Sequence, residues 1–112
     1  MEKLIIYKKS RELLKKIYLL TEHKENMRKD YALKDQIRRS AISVVLNIAE
    51  GYGRGVKHFK NYLKISVGSV NEVIATLSII EDIYQINTME LKNDYGILAR
   101  QISAFSNSFP TS

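Results

Sequence analysis

From Phe59 to Tyr84 the residues Phe59, Leu63, Ser66, Val70, Val73, Leu77, Ile80 and Tyr84 follow one another at steps of four and three without a miss. That is the seam of a helix packed along its whole length against other helices. At 1.5 Å per residue, a helix over residues 56–85 is roughly 45 Å long. A chain of 112 residues supports one domain, so only neighbours running beside such a helix can cover it. The chain's one proline is Pro110, and no window alternates polar and apolar residues for long in the manner of a strand.

Three more helices fit the same frame. Residues 4–23 carry a stripe of Ile6, Leu13, Ile17 and Leu20, with Lys8, Glu12 and Lys16 four apart on a solvated side. The polar stretch from Lys24 to Lys29 reads as a turn. Residues 31–50 carry Leu33, Ile37, Ala41, Val44 and Ile48. Residues 88–106 carry Leu91, Tyr95, Leu98, Ile102 and Phe105, and Asn87 with Glu90 fits a capping box at their start. The expected fold is all-α, one domain over residues 1–112. Short connections between four amphipathic helices favour an antiparallel up-down-up-down four-helix bundle.

The second of these helices has an unusual middle. From Ala41 to Ala49 only Ser43 and Asn47 interrupt the apolar residues, and Ile42, Val45, Leu46 and Ala49 fill the faces outside the main stripe. A helix apolar on so many sides needs cover on several sides, which predicts contact with other copies of the chain.

Several function classes fall away. There is no cysteine, hence no disulfide framework and no thiolate chemistry. His23 and His58 stand far apart, and no Glu-x-x-His pair accompanies Glu50, Glu72, Glu81 or Asp82, so neither a metal site nor a di-iron bundle is expected. No cofactor motif and no nucleophile–histidine arrangement is present, and the chain reads as a non-enzyme. Charge returns at Lys8, too soon for a signal-peptide core, and no uninterrupted apolar run approaches the ~18 residues of a membrane span. The expectation is a cytoplasmic protein with no membrane partner.

Charge is unevenly spread. Residues 1–64 hold 16 of the 18 basic and 7 of the 12 acidic residues, a balance of +9, whereas residues 65–112 carry −3. Lys57, Lys60 and Lys64 recur at three and four along one helical edge, Lys34, Arg38 and Arg39 crowd the start of the second helix, and Lys8 and Lys15 belong to a lysine-rich first helix. Edges of this kind, meeting on one surface or repeated around a ring, form a band that attracts phosphates. Tyr7, Tyr52 and Tyr62 offer stacking for single strands. The bland reading is a solvated lysine-rich surface.

Gly51-Tyr-Gly-Arg-Gly55 lacks the order of a nucleotide-binding loop and follows a helix rather than a strand, so it reads as a helix stop, with Glu50 and Arg54 available to pair across the turn. Asn47 reads as a register-fixing polar residue with Ser43 as its companion. Gly68, with Ser66 and Ser69, makes a thin spot where the second and third helices can approach closely.

The segments Gln36-Ile-Arg-Arg-Ser-Ala-Ile-Ser43, Asn47-Ile-Ala-Glu-Gly-Tyr-Gly-Arg54, Phe59 through Tyr62-Leu63, and Val67-Gly-Ser-Val-Asn-Glu72 together closely resemble the four-helix-bundle proteins encoded in intervening sequences of bacterial 23S ribosomal RNA genes. The accessory variability determinant of diversity-generating retroelements looks like a branch of the same family. The resemblance covers nearly the whole chain. It implies a bundle assembled into a ring-like homopentamer, and in the retroelement branch a basic assembly that binds nucleic acid and a reverse transcriptase. Carried onto this chain, Arg38, Arg39 and Arg54 are the motif positions suited to phosphate or partner contact, while Asn47, Glu50, Gly51, Gly68, Ser69 and Glu72 look structural. The expected function is therefore a non-enzymatic oligomeric bundle that binds RNA or DNA through Arg38, Arg39, Arg54, Lys57, Lys60, Lys64, Lys8 and Lys15. The alternative is a scaffold that docks a protein such as a reverse transcriptase or a ribosome-associated protein.

Overall fold

The heptad seam is the spine of the molecule. In the computed structural model, which describes residues 2–50 and 55–110, it lies on a 29-residue helix, α4 (Val56–Tyr84), with Phe59, Leu63, Ser66, Val70, Val73, Leu77 and Ile80 buried. Around α4 are α1 (Glu2–His23), α2 (Glu25–Lys29), α3 (Tyr31–Glu50) and α5 (Met89–Asn107), and the described residues contain no strand. The body is elongated, 47 × 21 × 20 Å, its length set by α4. By length and mean hydropathy α4 would suffice to cross a membrane. Its apolar stripe instead faces other helices.

Each long helix packs on two others: α1 on α3 and α5, and α4 on the same two. Helices α1 and α4 thus occupy opposite corners. The core between them holds Ile6, Leu13 and Ile17 from α1, Ile37, Ala41, Val44 and Ile48 from α3, and Tyr95, Leu98 and Ile102 from α5. Contacts between α3 and α4 pair rising with falling numbers: Ser40 with Glu72, Ser43 with Ser69, and Val44 with Ser66.

Two local expectations are corrected. The stretch Lys24–Lys29 is not a plain turn but the one-turn helix α2, with Met27 fully buried in the core. One apolar anchor among five polar residues gives no periodic signal, yet it folds the link back onto the bundle. Asp30 then closes α2 and starts α3: its backbone N–H donates to the Met27 carbonyl at 3.1 Å, and its Oδ1 accepts the Leu33 N–H at 3.1 Å. Its Oδ2 accepts the Tyr84 hydroxyl at 2.6 Å, which ties the end of α4 to this junction. These hydrogen bonds, the Tyr84 bond foremost, lower the Asp30 carboxyl's pKa.

The second correction concerns the turn from α4 to α5. Helix α5 starts at Met89, one residue later than expected, and Thr88 at its N-cap makes no side-chain cap bond. Glu81 of α4 holds the N-cap residue itself instead. Its Oε1 accepts both the Thr88 hydroxyl (2.7 Å) and the Thr88 N–H (3.0 Å), and its Oε2 accepts the Lys92 ammonium (2.8 Å). Asn87 contributes only its Oδ1, accepting the Met89 N–H at 2.9 Å. The turn closes without glycine, since Gln85 itself adopts the left-handed conformation (φ 53°, ψ 34°).

Candidate nucleic-acid interface

Helix α4 begins beside the end of α5, and an aromatic cluster fixes that corner. Phe59, Phe105 and Phe109 meet edge to face with ring centroids 4.9 to 5.8 Å apart. The Lys3 ammonium of α1 lies 6.0 Å from the Phe59 ring centroid, and loss of solvent lowers its pKa. This packing holds the first turns of α4 so that Lys57, Lys60 and Lys64 share one outer edge. Lys57 and Lys64 are exposed, and Lys60 is half-buried with its Nζ donating to the Phe109 carbonyl at 3.4 Å. Among the described residues, none of the three makes an ion pair.

Lys8 and Lys15 are exposed on α1, at the corner opposite α4. Lys8 and Lys15 thus sit on a helix diagonal to the one that carries Lys57, Lys60 and Lys64. Arg39 is exposed on α3. Arg38 is held differently. Its Nε donates to the Thr21 hydroxyl at 2.9 Å, its Nη2 to Glu22 Oε2 at 3.2 Å, and its guanidinium lies 4.1 Å from the Tyr18 ring centroid. Only 20% of its side chain is exposed. Those bonds bolt α3 to α1 and leave little of the guanidinium for a ligand. Arg54 and Gly51 lie outside the described residues, and Glu50 is the exposed last residue of α3.

Between α3 and α4 runs a polar ladder. Asn47 Nδ2 donates to the Ser43 carbonyl (2.9 Å) and hydroxyl (3.0 Å), and the Ser43 and Ser69 hydroxyls share a 2.7 Å bond. The Ser66 hydroxyl donates to the Val44 carbonyl at 2.9 Å, and Gln36, Ser40 and Glu72 form a second chain. The close approach of the two helices is made by these serines. Gly68 lies outside it, exposed, and a Cβ built there would meet nothing within 4 Å among the described residues.

Two large apolar side chains stay exposed near the ladder. Ala41, Val44, Val45 and Ile48 of the oily stretch are buried, but Leu46 is 60% exposed and Ile65 of α4 is 53% exposed. Leu46 lies one turn beyond Ser43, and Ile65 one turn before Ser69. Both therefore lie one turn from the Ser43–Ser69 bond, one on each helix.

Sequence reasoning missed Asp30 and Glu81, whose roles depend on partners far along the chain. Ser103 and Asn107 of α5, which carry no charge and so drew no notice in the sequence, line one groove with Lys60 and Lys64. Among the described residues no group of three His, Cys, Asp or Glu side chains stands close enough to hold a metal ion.

The model of the 23S rRNA-intervening sequence proteins matches residues 2–107. The chain belongs to that family. A solved structure of a protein from the S23 ribosomal protein family of Bacteroides thetaiotaomicron, itself of unknown function, superposes with a TM-score of 0.86 over 96% of this chain and 99% of that one. The two share 23% identity, so the likeness establishes the fold that this 23S rRNA-intervening sequence family member adopts and no more. No curated protein matches the chain.

Proposed function

We propose that this protein is a non-enzymatic, self-associating, up-down-up-down four-helix bundle that binds RNA or DNA through its basic edges. The observation that carries the reading is the Lys57–Lys60–Lys64 edge: three ammoniums on one rigid helix, with no carboxylate partner among the described residues. Uncompensated charge at such spacing attracts a polyanion, and each phosphate neutralised releases counterions. Contacts of this kind go to backbone phosphates, so little sequence preference is expected.

Self-association would serve the same reading. One protomer holds its basic edges at opposite corners, and a ring of copies, five as the family resemblance implies, would line them up into bands. The exposed apolar pair Leu46 and Ile65 supplies a contact for a second copy. Gly68, one turn from Ile65, costs about 1 kcal/mol in mid-helix and serves no packing among the described residues, which fits a place where another backbone comes close.

Salt titration of binding to a generic RNA and a generic DNA tests this reading. Affinity should fall steeply with salt, and replacing Lys57 and Lys64 with alanine should reduce the logarithmic slope by about 2. A flat salt response, or no binding at low salt, defeats the reading. The scaffold alternative uses the same edge for an acidic protein, and a partner retained after nuclease treatment would favour it.

A further inference from the structure

The outer groove between the first half of α4 and the last turns of α5 encloses a cavity of about 370 Å³, open along one side. Among the residues that line it, with Asn61 and Ser106, are three pairs spaced one helical turn apart. Lys60 and Lys64 form one wall, Ser103 and Asn107 the other, and Leu63 and Val67 the floor. Among the described residues, no carboxylate lines it.

Two like charges one turn apart repel, and here nothing within the groove offsets them. Lys60 reaches only a carbonyl, at 3.4 Å, and Lys64 has no partner among the described residues. A bound anion would relieve that repulsion and draw charge-assisted hydrogen bonds from both ammoniums. The opposite wall adds a hydroxyl and an amide, neutral donors that contact an anion without competing for the lysines. The apolar floor suits the body that carries the anion, and the volume falls within the range of small-molecule sites.

We propose that this groove is a nucleotide-phosphate site, which seats one phosphate between Lys60, Lys64, Ser103 and Asn107 and lays the attached sugar against the half-buried Val67. It deepens the nucleic-acid reading above and rests on it for the physiological source. A free nucleotide and a phosphate within or at the end of a strand present the same chemistry to it.

The test uses the full chain with three probes: AMP, a ten-nucleotide RNA bearing a 5′-phosphate, and the same RNA without it. Binding is followed by fluorescence anisotropy for the strands and by backbone amide shifts at Lys64, Ser103 and Asn107 for AMP. Two variants are compared with the native chain: Ser103→Glu/Asn107→Glu, which places negative charge on the neutral wall, and Lys64→Met, which keeps the stem and removes the charge. Thermal melts confirm that each is folded. Both variants should bind every probe that the native chain binds about tenfold more weakly or worse. Loss of affinity on removing the 5′-phosphate assigns the site to strand ends, equal affinity assigns it to internal phosphates, and either supports the proposal. If the strands bind but the folded variants match the native chain, the groove is not the site and the nucleic-acid reading survives without it. If no strand binds at low salt, that reading fails, and the groove stands only if AMP moves the three amides in the native chain and not in the variants.

Discussion

Tyr95 is fully buried in α5, and its hydroxyl finds no hydrogen-bond partner among the described residues. Burial also raises the pKa of the phenol. A donor removed from water without compensation costs free energy, so Tyr95→Phe should raise the unfolding free energy by about 1 kcal/mol, measured by urea denaturation. Glu81 shows the opposite case. Hydrogen bonds from Lys92 and then Thr88 hold its carboxyl down to about 2 from an ordinary 4.5. The unfolded chain takes up that proton first as pH falls. The stabilisation is therefore complete above pH 4.5 and is lost as pH drops toward 2. Glu81→Gln should lower stability at neutral pH and lose less than the native chain on acidification through that window, in denaturation midpoints followed by circular dichroism.

Helices α1, α3, α4 and α5 were legible at the level of the element because each keeps one apolar stripe in phase for four or more turns. Every seam position of α4 except the half-buried Tyr84 is buried. Helix α2 was not legible, for the physical reason that one turn contains too few residues for a period to show. Its contribution rests on Met27, whose side chain is fully buried. Met27→Ala should cost about 2–5 kcal/mol in urea unfolding, within the range for emptying a core methionine site. A loss under about 0.5 kcal/mol, the usual surface value, would mean that α2 is a passive link.

For the whole molecule, the proposed self-association rests on the outer face of α3 and α4. Gly68→Ala should raise protomer stability by about 1 kcal/mol at high dilution, since a methyl group there meets nothing among the described residues and the helix gains propensity. In sedimentation velocity at micromolar concentration the same variant should associate more weakly, and Leu46→Glu should sediment as the protomer. A native chain that is monomeric at those concentrations would remove self-association from the account, leaving binding to the basic edges of one protomer.

The sequence by itself determined that the chain is helical, where four of its helices run, which stripe of each is buried, and that charge gathers in the first half. These properties depend on neighbours three or four residues apart, so spacing alone carries them. Only the tertiary structure decided what each charged or polar group is free to do. Arg38 and Lys64 look alike as basic residues in a helix. One is spent on Tyr18, Thr21 and Glu22 of a helix sixteen or more residues away, and the other is left facing an open groove. Glu81 and Gly68 were settled in the same way, by a partner at Lys92 and by open space, among the described residues, where a side chain would stand. Hydrogen bonds and clashes act over about 3–4 Å between residues that folding alone brings together, and no periodicity along the chain encodes that proximity.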